Sequence, residues 1–286
     1  MAEQTPQIET LTVQAADGVG LSAKLFLGEA PRCAVIISSG TGFPQHFYAA
    51  LASYLARRGA VVLTYDYRGI DGSGAEADFA RIDIPDWGRF DLAAMIALMG
   101  ARFGGLPLGH LGHSVGGHLI GFAPNQAEIS RHALVCCGSG TWFKHWPSRW
   151  PLELFFWWGI GPSSIARFGR VTAKGGWRGA DLPPQVFRTW RRWAHRAGYY
   201  QRDLPGLRPH SFGEVTAPIR SWIYTDDGIA TPGTAADTLA SYPAARSEVV
   251  VARPEDYDLP AIGHQGAFKS GREALWAPWW DWLSGA

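Results

Sequence analysis

The chain has 286 residues, 47% of them hydrophobic, and a net charge of +1, which suits one large domain or a core carrying an insertion. No block of like charge marks a nucleic-acid surface, and the longest apolar run, residues 154–160, is far shorter than a membrane span. Met1-Ala-Glu-Gln-Thr-Pro6 has neither a basic nor an apolar leader region, and three cysteines, with Cys136 and Cys137 adjacent, cannot build a disulfide framework. These features lead us to expect a soluble protein of a reducing compartment, the cytoplasm.

Residues 8–14 and 21–27 alternate apolar and polar side chains around Asp17-Gly18, which predicts an antiparallel hairpin with one wet face. Residues 34–37, 60–63, 108–111 and 133–136 are instead short, near-continuous apolar runs, as expected of parallel strands buried on both faces. Helical patterns at 48–58 and 87–103 alternate with these runs, each ending in glycine. The expected fold class is therefore α/β, with a mostly parallel, doubly wound sheet. From Gly140 to Phe212 the strand signal vanishes. Eight of the fourteen tryptophans fall here, and Pro147, Pro151, Pro183, Pro184 and Pro205 cut the segment into short helices. Strand and helix resume at 218–224, 234–241, 247–251 and 272–283. The expected division is a core of 1–139 and 213–286 interrupted by a helical insertion over 140–212.

Gly112-His113-Ser114-Val115-Gly116 fits G-x-S-x-G, with a buried strand running into it and a helix expected over 117–122. A serine hydroxyl with an ordinary pKa is a poor nucleophile, so it must stand on a tight turn where a base can reach it. Glycines at the flanking positions give such a turn room. The helix that begins there aims backbone N–H groups at a developing oxyanion, that of Val115 first.

A base and a carboxylate should follow. Thr225-Asp226-Asp227-Gly228 comes directly after a predicted strand. Asp227 is favoured over Asp226, because the second residue of such a pair faces the imidazole while the first starts the turn. His264 lies in the loop after the last strand, the one histidine downstream of that acid loop. The glycine-bearing loop 38–44 should supply the second oxyanion donor, with Thr41 and Phe43 both open as candidates. His110, His113 and His118 straddle a strand, a turn and a helix without ligand spacing, so no metal and no cofactor is expected.

With these pieces in place the chain resembles the α/β-hydrolase superfamily over essentially its whole length. More narrowly, it resembles a poorly characterised bacterial group of capped, esterase-like members. The matching motifs are Thr41-Gly-Phe-Pro-Gln-His-Phe-Tyr48, Tyr65-Asp-Tyr-Arg-Gly69, Gly112–Gly117, Asp226-Asp227 and Ile262-Gly-His264. Ser39-Gly40 stands where the family commonly has His-Gly. The resemblance implies the α/β-hydrolase fold with an inserted helical cap, and acyl chemistry through Ser114, Asp227 and His264. Dehalogenase and epoxide-hydrolase relatives would carry Asp at position 114. The expected activity is hydrolysis of hydrophobic carboxylic esters, small-molecule substrates, through an acyl-enzyme. An acyltransferase using the same residues is the alternative, and a non-catalytic ligand-binding relative would have lost part of the set. The aromatic residues of the insertion would line an apolar acyl or aromatic pocket or pack the cap against the core; a membrane-surface contact through Trp146–Trp150 and Phe155–Trp158 is the disfavoured alternative. Nothing in the sequence bears on oligomeric state.

Overall fold

A computed structural model of the chain describes residues 5–74 and 76–285; residues 1–4, on which most of the leader expectation rests, lie outside it. Strands β1 (Gln7–Gln14) and β2 (Gly20–Leu27) form the hairpin, and β2 runs antiparallel to β4 (Ala60–Tyr65). Strands β3 (Cys33–Ser38), β4, β5 (Leu108–His113), β6 (Arg131–Val135), β7 (Ile219–Tyr224) and β8 (Ser247–Ala252) are parallel. The eight stand in the order β1-β2-β4-β3-β5-β6-β7-β8.

The continuous apolar runs are explained by two cores, one on each face of the sheet. Along β3, Ala34 and Ile36 enter one core while Cys33, Val35 and Ile37 enter the other. A strand with alternate side chains facing opposite ways needs an apolar residue at every position to bury both faces. By contrast, β8 is an edge strand, and its Val249 and Val251 are exposed.

The helices in chain order are α1 (Ala49–Arg57), α2 (Ile84–Asp86), α3 (Ala93–Phe103), α4 (Trp150–Phe155), α5 (Gly161–Phe168), α6 (Pro184–Ala194), α7 (Pro232–Leu239) and α8 (Glu273–Ser284). Tyr54 and Leu55 of α1 join Trp276 and Trp279 of α8 in the core on one face. Met95, Ile96 and Met99 of α3 fill the other. The sheet is thus doubly wound. The predicted helix over 87–103 departs from expectation at its start, where Trp87–Leu92 form a π-helical turn. Gly88 there lies so close to Leu119 and Phe122 that a Cβ would collide with both. Buried Asp91 accepts hydrogen bonds from the Arg68 backbone N–H (2.8 Å) and Nε (2.7 Å).

Between β6 and β7 the chain forms α4, a second π-helical turn (Phe156–Ile160), α5 and α6, joined by 3₁₀ turns and one isolated bridge, Val171 to Leu182. This stretch packs on loops at the carboxyl ends of the strands. The Trp177 ring lies over Gly42 after β3, Pro183 touches Gly69 after β4, and Trp146 covers Gly228 after β7. Among the described residues no helix is long and apolar enough to cross a membrane.

Candidate active site

Strand β5 delivers Ser114 at its carboxyl end, and the chain turns there with Ser114 at φ 52°, a left-handed backbone that a non-glycine residue adopts only under constraint. Both motif glycines answer to specific crowding. A Cβ on Gly112 would stand 2.7 Å from the Gly117 amide nitrogen, and one on Gly116 would stand 2.4 Å from the Ser38 carbonyl oxygen. After the turn come two short 3₁₀ helices, Ser114–His118 and Ile120–Phe122, rather than the continuous helix predicted for 117–122. Two causes are visible. Phe212 presses on Gly121, and the segment leaves helical geometry at Ala123, the residue before Pro124. The first N–H groups of a 3₁₀ helix have no intrahelical acceptor, and Val115 holds the second position.

The loops after β7 and β8 bring two further groups to this turn. His264 Nδ1 lies 2.7 Å from Asp227 Oδ2, and its Nε2 lies 3.2 Å from Ser114 Oγ. The carboxylate fixes the tautomer: Nδ1–H donates to Asp227, which leaves Nε2 to accept the serine proton. Asp227 is buried, and burial alone would raise its pKa. The adjacent imidazole and the N–H groups of Ile229 (2.8 Å) and Ala230 (3.1 Å) outweigh that cost and hold the carboxyl below its ordinary range. Asp226 has another place. Its Oδ2 accepts the Ile262 N–H at 2.8 Å, which ties the loop carrying His264 to the end of β7.

In the loop after β3, the Phe43 N–H donates to the Gly40 carbonyl (3.1 Å), while Thr41 is buried between them in sequence. Gly40 meets the site through a relay that sequence reasoning did not find. Its N–H donates to the Tyr48 hydroxyl (2.8 Å), and Tyr48 lies 2.7 Å from His113 Nδ1. His113 Nε2 in turn lies 3.0 Å from the His264 carbonyl oxygen. Burial drives the His113 pKa down to about 3, so the ring is neutral, donates from Nε2 and accepts the Tyr48 proton at Nδ1. No local pattern announces a contact between residues separated by 65 and then 151 positions. Cys137, read in the sequence only as a buried strand residue, donates its S–H to the Ser114 carbonyl (3.0 Å). Cys136 lies with Asp227 and His264 in a group whose ligand atoms are within 4.8 Å of one another. Burial raises its thiol well above the ordinary range, and the imidazole and carboxylate are already bonded to each other. This donor set therefore suits the hydrogen-bonded row better than a cation.

Residues 29–163 match the family model described as serine aminopeptidase, S33. No curated protein matches the sequence significantly. Among solved structures, a soluble variant of monoglyceride lipase from Saccharomyces cerevisiae aligns with TM-score 0.67 and 15% identity, over 99% of this chain and 96% of that one. DcsB in complex with its substrate analogue aligns with TM-score 0.66 and 12% identity over 98% and 99%. The Pyrococcus furiosus esterase Pf2001 aligns with 0.61 and 15% over 98% and 93%. At these identities the likeness is one of fold. With its sheet order and the strained serine turn after β5, the chain has the α/β-hydrolase fold.

Proposed function

We propose that the protein is a serine hydrolase of carboxylic esters that works through an acyl-enzyme on Ser114. The observation that carries this reading is the bonded row from Ser114 Oγ to His264 (3.2 Å) to Asp227 (2.7 Å) at the end of β5. His264 Nε2 takes the serine proton as Oγ attacks the ester carbonyl, and Asp227 stabilises the imidazolium that forms. The oxyanion rests on the N–H groups of Val115 and Thr41. Thr41 is preferred to Phe43 because the Phe43 N–H is already spent on Gly40. The imidazolium then protonates the leaving alcohol, and water, deprotonated by the same ring, releases the acid. Residues 140–212 act as the cap. Trp177 over the Thr41 loop and Trp146 on the Asp227 loop favour a hydrophobic acyl or aromatic group.

Labelling with a fluorophosphonate probe tests the nucleophile. Wild type should label and Ser114→Ala should not; a folded wild type that fails to label overturns the reading. Esters of graded acyl length, with and without an acceptor alcohol, then separate hydrolysis from acyl transfer, and aminoacyl anilides test for peptidase activity.

A further inference from the structure

Residues 140–212 carry twelve Lys and Arg against three Asp and Glu, a charge of +9 in a chain whose total is +1, which leaves −8 for everything else. Overall neutrality hides a strongly polar distribution of charge. Among the described residues, Arg167, Lys174, Arg178, Arg188, Arg191 and Arg202 of this segment enter no ion pair.

The same segment holds the main exposed apolar surface. Leu152, Phe155 and Trp158 are exposed at 62%, 61% and 62%, and Phe143 and Trp146 are also exposed. The first three stand on one short rod, α4 and the π-helical turn after it. Charge lies beside them. The Arg191 guanidinium sits 4.9 Å from the Trp158 ring centre, Trp158 donates its indole N–H to His195 (3.1 Å), and exposed Arg188 is one turn back on α6. Trp146 joins this surface to the site loop by donating its backbone N–H to the Gly228 carbonyl (2.9 Å).

We propose that this face docks on an anionic lipid bilayer. Leu152, Phe155 and Trp158 would enter the boundary between headgroups and acyl chains, and the unpaired arginines would meet lipid phosphates. Exposed Leu and Phe cost free energy in water and recover it in the interface, where Trp and Arg each place an apolar body and a polar end at the right depth. Seventeen units separate the charge of this segment from that of the rest, which orients the molecule with its cap toward the negative surface. The charge favours lipid phosphate over a second copy of this chain, which would oppose like to like.

The test uses full-length Ser114→Ala protein, so that it stands apart from the hydrolytic reading and no lipid is consumed. Co-sedimentation is measured with vesicles of phosphatidylcholine alone and of phosphatidylcholine with phosphatidylglycerol. We expect affinity at least about tenfold higher on the anionic vesicles, falling as salt is raised. Leu152→Ser/Phe155→Ser/Trp158→Ser should weaken binding at least about tenfold, and Arg188→Gln/Arg191→Gln should reduce the preference for anionic lipid, both with unchanged melting temperature. Binding to neither vesicle, equal binding to both, or undiminished binding by the triple variant overturns the proposal. So does a solution dimer that the triple variant dissociates.

Discussion

The roles proposed for Ser114, His264 and Asp227 can be separated by single substitutions. Ser114→Ala should lower kcat by about 10⁶-fold with little effect on melting temperature. Asp227→Asn should keep the shape but place the wrong hydrogen on the His264 partner, for a loss of about 10⁴-fold. Asp226→Asn retains an oxygen that can accept the Ile262 N–H and should cost about tenfold or less. Steady-state kinetics on one chromogenic ester checks all three, and equal losses at Asp226 and Asp227 would contradict the assignment. In sequence, the two aspartates are neighbours on one loop. What separates them is the backbone path after β7, which points Asp227 at the imidazole and Asp226 at the opposite loop.

At the scale of the element, the serine turn is held from several sides. Ser38 supplies the carbonyl that crowds Gly116, and its hydroxyl is bonded to Tyr65 and to His110, both at 2.9 Å, so it has little freedom to retreat. Gly116→Ala should therefore destabilise the protein by about 3 kcal/mol and lower activity by more than about 100-fold. Gly105→Ala, where a Cβ meets nothing, should move stability by less than about 0.5 kcal/mol; thermal melts compare the two. The Gly40–Tyr48–His113–His264 relay links the loop after β3 to the loop after β8. Tyr48→Phe should leave KM nearly unchanged and lower kcat about tenfold, with a stability loss of about 1–3 kcal/mol from the unpaired groups. If kcat is unaffected while stability falls, the relay is structural alone.

Over the whole molecule, buried histidines set the response to acid. Burial lowers the pKa of His110 and His113 to about 3, that of His118 to about 4, and that of His132 well below its ordinary value. In the unfolded chain each takes a proton near pH 6.5. The unfolded state therefore binds more protons below that pH, and stability falls as pH drops from about 6.5 toward 3–4, by up to about 1.4 kcal/mol per unit for each ring. Asp91, raised by burial to about 7, acts in the opposite sense, since its stabilisation is lost as pH rises above 3.8 through 7. Asp66 and Asp86, also raised by burial, share that sign. Four rings outweigh these carboxyls, so the melting temperature should drop clearly between pH 7 and pH 5, as calorimetry would record. A flat profile would mean that the histidines are not neutral and buried together.

The sequence by itself determined the strands, the order of serine, acid and histidine, and the need for glycine around Ser114. Each of these is a local requirement: an apolar residue at every strand position to satisfy two cores, and a backbone too crowded for a Cβ. Only the tertiary structure decided which aspartate meets His264, that the Phe43 N–H is spent on Gly40, and that His113 joins two loops through Tyr48. It also replaced one predicted helix after Ser114 with two short 3₁₀ turns, and opened the helix before β5 with a π-helical turn. These depend on contacts between residues up to 151 positions apart, where side chains meet because the sheet brings its loops together at one end. Local pattern carries no record of that meeting.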